Sequence, residues 1–346
     1  MPTLTWHLLT TDFPPLQGGV ATWAEGAARA LHVAGERVLV HARGVDPAAW
    51  PYPTTPMWGR SWARWGPWWA AASLVPRLRA GDRVLAATWP LAARILGPAA
   101  RLDVPVFVAY HGSDLTRPPL VAGLEKVRAA AIHVPVSRYL GDLVGAPYTV
   151  LPCPVDPVEP ATPGDALLVV ARLGPLKGVD RALRLAQRLG RPITVVGEGP
   201  AREGLEALGR DLGVDATFTG ALPRDAVPWD GTWALVLLSR PEAPSEAHRA
   251  AHRGGRPAWD APPGGAGQEG LGLVLLEAAA RGIPSIGARV GGIPEAASVV
   301  LDDLDGPVPP LPDADAVRAA LAARHGSARL AETLIRLAGE RPDRVS

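Results

Sequence analysis

Cysteine is all but missing. Cys153 is the one thiol in 346 residues, so the chain can close no disulfide within itself and offers no cysteine cluster to a metal. An excess of charge is missing as well. Lys+Arg number 35 and Asp+Glu 34, a net charge of +1, which withdraws the electrostatic case for nucleic acid as a partner. Long apolar runs are also lacking. The longest uncharged candidate, residues 65–76, falls short of the ~20 residues that cross a bilayer. The opening MPTLTWHLLTTDFPP carries neither the basic stretch nor the small-residue cleavage site of a secretory leader. The expectation is a cytoplasmic protein.

Lysine is the other scarce residue: Lys126 and Lys177 stand alone among basic residues that are otherwise arginine. Where arginine is the habitual cation, a lysine at a special place asks for a reason. Tryptophan is plentiful, with 12 in all and six between Trp50 and Trp69. Hydrophobic residues at 47% and charged residues at 20% describe an ordinary globular chain. At roughly 150 residues per domain the length suits two domains.

Short apolar runs alternate with amphipathic stretches throughout. Residues 3–9, 36–42, 82–88, 104–110 and 131–137 read as buried strands, and 20–35 as a helix with an apolar face. Five prolines in 151–164 break the pattern and mark a linker. The alternation then restarts, with strands at 166–172, 192–198, 215–220 and 233–239 and helices at 179–190 and 201–213. Strand–helix alternation implies parallel sheets with crossover helices. The fold class expected is α/β, two doubly wound Rossmann-like domains facing across a cleft, with ligands at the carboxyl ends of the strands.

Three motifs carry chemistry. Gly18 and Gly19 sit where the first strand turns into a helix, where the backbone can approach a ligand and helix amides can face an anion. Arg172 and Lys177 follow a strand and precede a helix. Arginine offers a planar fork to phosphate oxygens and lysine a compact point charge. Glu269 and Glu277 bracket seven residues that include Gly270 and Gly272. Those glycines let amides reach a ligand at the start of a helix. Glu277, between LVLL and AAA, is expected to be at least partly buried and therefore to need partners.

With these pieces in order, the sequence resembles the retaining glycosyltransferases of family 4, which have the GT-B fold. FPPLQGG is similar to the family's N-terminal glycine loop and HGSDL (111–115) to its His-Gly segment. ARLGPLKG (171–178) is similar to the Arg–Lys diphosphate motif, and 195–208 to the strand–turn–helix after it. EGLGLVLLEAAARGIPSIGARVGGIPE (269–295) resembles the Glu–seven–Glu signature and its continuation.

The resemblance implies an acceptor domain at 1–155, a nucleotide-sugar donor domain at 156–320, and a helical segment at 321–346 packing back on the first. It implies transfer of a hexose from a nucleotide-diphospho-sugar to a glycan, glycolipid or polysaccharide, with retained configuration and no cofactor or metal. Arg172 and Lys177 would clamp the diphosphate. Amides of Gly270, Leu271, Gly272 and Leu273 would meet phosphate and sugar. Glu269 would hold sugar hydroxyls, Glu277 the ribose, and His111 the donor sugar. Gly18 and Gly19 would lie near phosphate and acceptor, and the backbone at Ala221 and Leu222 would read the base.

One departure stands out: 29 residues, 240–268, separate Ser239 from Glu269 where the family has only a few. Within them His248 and His252 have helical spacing, but a third metal ligand is lacking. The Trp-rich segment 50–69 reads either as packing or as a patch touching acceptor sugars or the inner face of a membrane; its prolines argue against one long helix. Asp303 and Asp305 read as surface, and Cys153 as inert. Two alternatives stay open beside the transferase: a GT-B sugar-nucleotide epimerase, and a non-catalytic sugar-nucleotide or glycan-binding protein. Base, sugar, acceptor and oligomeric state are not legible.

Overall fold

The computed structural model describes residues 4–16, 18–43, 45–57, 62–116, 123–241 and 269–340, the side chains of 62–67 and 113 aside. The chain forms two compact units, one of residues 1–155 with 324–346 and one of 156–323.

Among the described residues, the first unit has six strands: β1 Thr5–Leu9, β2 Arg37–Ala42, β3 Thr54–Pro56, β4 Arg83–Ala86, β5 Val106–Val108 and β6 Ile132–His133. They lie in the order β3-β2-β1-β4-β5-β6, and the pairs of neighbours are parallel. The helix Gly19–Val33 packs an alanine-rich face, with Trp23 and Leu31, into the core. Trp6 is fully buried on β1, and its indole donates to Glu36 at 3.0 Å. The helix Ser327–Gly339 belongs to this unit and contacts the helix Gly19–Val33. Its stripe of Leu330, Ala331 and Leu334 is buried. Cys153 ties it down: its carbonyl accepts from Gly326 at 2.9 Å and its amide donates to His325 Nδ1 at 3.2 Å. The thiol itself is buried, which pushes it up to about 12.

A buried polar chain runs through the same unit. Asp82 accepts from His7 Nε2 at 3.2 Å, His7 Nδ1 meets His41 Nε2 at 3.0 Å, and His41 Nδ1 meets Ser73 Oγ at 2.8 Å. With Asp82 ionised, each neutral ring donates toward the carboxylate and accepts from behind, so the serine hydroxyl donates at the far end.

The second unit has β7 Pro163–Val170, β8 Ile193–Val196, β9 Ala216–Gly220, β10 Thr232–Leu237, β11 Ser285–Ala288 and β12 Val299–Leu301. Their order is β12-β11-β10-β7-β8-β9, again parallel. Strand order reverses between β10 and β7, and a parallel sheet opens a ligand crevice at the carboxyl end of such a switch point. The helix Ala314–Arg324 runs across residue 320, and the division between units falls at its last residue.

Candidate functional site

The residues that converge at the β7/β10 switch point come from two connections of the second unit, from β7 to the helix Val179–Leu189 and from β10 to the helix Leu273–Ala280. Lys177 closes a short turn, Pro175–Lys177, two residues ahead of the helix Val179–Leu189. Its Nζ lies 2.5 Å from Glu269 Oε2, although 92 residues separate the two. Ser239, just past β10 and 3% exposed, places its hydroxyl 3.5 Å from the same oxygen. Arg172, just past the end of β7, is exposed and has no partner among the described residues.

Glycines explain how Glu269 is held. Its carbonyl accepts from Gly292 at 2.9 Å. A Cβ on Gly291 would lie 2.2 Å from that carbonyl oxygen, and one on Gly292 would lie 2.0 Å from the oxygen of Gly270. Only bare backbone fits, so the Gly-Gly of VGGIPE is the seat of the Glu269–Gly270 backbone. Gly272 then turns the chain at φ +84 into the helix Leu273–Ala280, which has no side-chain cap. The Leu275 amide donates to the Gly272 carbonyl at 2.8 Å, which leaves the amides of Leu273 and Val274 for an anion. Residues 242–268, including His248 and His252, lie outside the described residues, but the point where the chain returns from them is fixed by these contacts.

Glu277 is partly buried as its neighbours foretell, its side chain 12% exposed. Burial raises its carboxyl above the usual range, against the pull of Arg224 and Arg281. Arg224 reaches it at 3.0 Å. Arg281 lies over Trp229, 4.6 Å from the ring centre. Ala221 is exposed and Leu222 half-buried just beyond β9. Asp303 and Asp305 are exposed, bonded to each other through the Asp305 amide at 3.0 Å.

His111, Gly18 and Gly19 belong to the first unit. His111 follows β5 and meets Trp23 edge-on, ring centres 4.6 Å apart. Its Nε2 is buried with no partner among the described residues, and burial pushes its pKa down to about 4. The ring is therefore neutral near pH 7. Asp114 Oδ1 accepts from the amides of His111 and Gly112 at 3.2 and 3.0 Å and shapes the loop. Gly18, at φ +141, opens the helix Gly19–Val33, and neither glycine has a neighbour where a Cβ would stand. Trp68 and Trp69, in the helix Trp62–Leu74, are 53% and 42% exposed. Arg94 lies 4.3 Å over Trp68. Trp50 instead packs on Phe13 at 4.9 Å.

Sequence reasoning missed four contributors. Ser239, Arg224, Asp180 and Arg240 carry no motif. Asp180, 4% exposed, is paired with Arg240 at 2.5 Å.

Two doubly wound parallel units, the second with a cation–carboxylate cluster at its switch point, define the GT-B class. Solved structures agree on the fold. AviGT4, a glycosyltransferase involved in Avilamycin A biosynthesis, matches at TM-score 0.64 and 19% identity, covering 97% of each chain. Alr3699/HepE of Anabaena, in complex with UDP and glucose, matches at TM-score 0.68 and 13% identity, covering 98% of this chain and 100% of that one. No protein-family model matches. A curated relative from Mycolicibacterium smegmatis is 28% identical over 371 residues, 91% of this chain and 87% of the relative. It is a GDP-mannose-dependent alpha-(1-6)-phosphatidylinositol monomannoside mannosyltransferase. The chain is a glycosyltransferase of the GT-B fold, in keeping with the family 4 resemblance, rather than an epimerase or a non-catalytic binding protein.

Proposed function

We propose that the protein transfers a hexose, with retention and without a metal, from a nucleotide-diphospho-sugar to a glycan or lipid-linked acceptor. The observation that carries this reading is the meeting of Lys177 and Glu269, with Arg172 exposed just past the end of β7, at the switch point of the second unit. Lys177 is the chain's one lysine beside Lys126. It stands where a diphosphate would need a compact cation and where a sugar hydroxyl would need a carboxylate.

In this reading the leaving group is a nucleoside diphosphate whose negative charge grows as the glycosidic bond breaks. Arg172, Lys177 and the amides from Gly270 to Leu273 stabilise that charge more in the transition state than before it. Glu269 orients the sugar through its hydroxyls, and Glu277 accepts from the ribose. The neutral imidazole of His111 supplies a polar atom to the donor sugar. Gly18 and Gly19 leave room beside phosphate and acceptor, and the backbone at Ala221 and Leu222 faces the base. The acceptor attacks from the side the leaving group departs, and a donor phosphate oxygen takes its proton. No separate protein base is then needed.

The domain roles follow: acceptor on the first unit, donor on the second. We place the protein in the cytoplasm, working in cell-envelope glycan assembly and touching the membrane peripherally through Trp68 and Trp69. No described helix is long and apolar enough to cross a membrane. The mycobacterial relative makes GDP-mannose and a phosphatidylinositol mannoside the first donor and acceptor to try.

The test is calorimetric titration with GDP, UDP and ADP, alone and as their sugars, beside Lys177→Ala. One diphosphate should bind at micromolar affinity and be weakened roughly tenfold to a hundredfold in the variant, the worth of a charge-assisted contact. Equal binding by the variant removes Lys177 from the site. Release of sugar from the donor onto the acceptor, followed by NMR of the anomeric proton, tests retention.

A further inference from the structure

We infer that Asp180 and Arg240 are positioning residues that hold the Lys177 turn in place. This inference rests on the reading of Lys177 as the diphosphate cation.

Arg240 lies three residues past the end of β10, and Asp180 in the first turn of the helix Val179–Leu189. The guanidinium grips both carboxylate oxygens, Nη1 to Oδ1 at 2.6 Å and Nη2 to Oδ2 at 2.5 Å. Nη1 also donates to the Pro175 carbonyl at 3.1 Å, and the Arg240 amide donates to the Leu176 carbonyl at 2.8 Å. Gly178 adds a third point of attachment, since a Cβ there would stand 1.8 Å from the Leu238 carbonyl oxygen. The backbone on both sides of Lys177 is thus fixed to residues 238–240, and its side chain is free to be used at Glu269.

The division of labour is physical. A four-carbon lysine stem has many rotamers and cannot place its own charge; a fixed backbone narrows the choice. The planar fork of Arg240 can bind a carboxylate and a carbonyl at once, which a lysine cannot. Asp180, with its side chain 6% exposed, neutralises that guanidinium and fixes its plane. Neither residue needs to touch the nucleotide.

A stabilising pair with no bearing on Lys177 would make the same contacts, so the test must separate the two. Affinities for a nucleoside diphosphate and for the corresponding monophosphate are measured calorimetrically in the wild type, Lys177→Ala, Arg240→Ala, Asp180→Asn and the double variant Lys177→Ala/Arg240→Ala. Positioning predicts that Arg240→Ala and Asp180→Asn weaken the diphosphate about tenfold while the monophosphate shifts less than about twofold. It also predicts that Arg240→Ala costs little once Lys177 is gone, because both act through one contact. Arg240→Lys, which keeps the charge but not the fork, should not restore the diphosphate. If Arg240→Ala does not fold, Asp180→Asn, which keeps shape and volume, carries the test. Equal losses for mono- and diphosphate, full additivity in the double variant, or unchanged affinities overturn the inference. Failure of the underlying reading looks different: Lys177→Ala itself then binds the diphosphate like the wild type, or no form binds it, and the inference falls with it.

Discussion

Lowering the pH from about 7.5 to about 5 should loosen the first unit and spare the second. His41, His111 and His325 are held down by burial, to about 3, about 4 and about 4. Burial also lowers His7 and His133. All belong to the first unit, and the second has no histidine among its described residues. In the unfolded chain a histidine takes its proton near ~6.5. Because the folded values lie lower, the stability these groups lend is whole above that point and drains away as the pH falls toward the folded values.

At pH ~5 each of the three costs about 2 kcal/mol. Asp114 works the other way: burial raises it to about 6, so the folded state keeps a proton that the unfolded state sheds. That returns about 1 kcal/mol, leaving a net loss of about 5 kcal/mol. Such a loss is a large share of a domain's typical stability. At roughly 2–4 °C per kcal/mol it lowers the first unit's melting temperature by about 10–20 °C. The contacts say why there is no cheap place for the proton. His325 Nδ1 already accepts the Cys153 amide, and both nitrogens of His7 and His41 are used in the chain from Ser73 to Asp82. In the second unit the raised carboxyl of Glu277 favours the folded state on acidification. Amide hydrogen exchange resolved by peptide, across this pH range and corrected for intrinsic rates, reads the two units separately. Equal loss of protection in both, or protection of the helix Ser327–Gly339 that ignores pH, would refute the reasoning.

Other outcomes are as definite. Gly178 and Gly190 share φ +61, but a Cβ on Gly178 meets the Leu238 carbonyl at 1.8 Å whereas one on Gly190 meets nothing within 4 Å. In urea titrations Gly190→Ala should cost about 1 kcal/mol and Gly178→Ala more than about 3; equal costs would show that the turn yields. Glu277→Gln should erase the preference for ribose over 2′-deoxyribose nucleotides, roughly tenfold or more in the wild type, as read by competition binding. Replacing Trp68 and Trp69 by serine should abolish co-sedimentation with anionic vesicles and leave thermal stability within about 0.5 kcal/mol, because both rings are already half in solvent. Unchanged sedimentation would remove the membrane from the proposal.

Much of the fold was legible because the buried strands are short apolar runs between amphipathic stretches. Many ends moved inward, as at 104–110, where only Val106–Val108 is strand, while β7 and β10 begin earlier than expected, at Pro163 and Thr232. Three strands went unread. Thr54–Pro56 is an edge strand with Pro53 before it and Pro56 as its last residue, a composition that argues against a strand everywhere except at an edge. Ser285–Ala288 and Val299–Leu301 are too short to show alternation. In the Trp-rich segment Pro51, Pro53 and Pro56 precede the helix Trp62–Leu74 and only Pro67 falls within it, so the helix was hidden by neighbours rather than absent. In the site, the glycines and the rare lysine were visible because each is the sole residue type for its place. The pairings were not. Arg224 with Glu277 and Arg240 with Asp180 join residues 53 and 60 apart, and one arginine among so many carries no mark of its partner.

The return of the helix Ser327–Gly339 to the first unit sets an order of assembly during synthesis. The second unit is enclosed within the first in chain order, so its 168 residues of contiguous chain can emerge and fold as one piece. The unit that leaves the ribosome first must wait for the helix that leaves after the other is complete. Until then the helix Gly19–Val33 lacks one of the partners it packs against. A chain ending just short of residue 327, and held to the ribosome by a linker long enough to clear the exit tunnel, should therefore present a protease-resistant second unit and a first unit still open to cleavage.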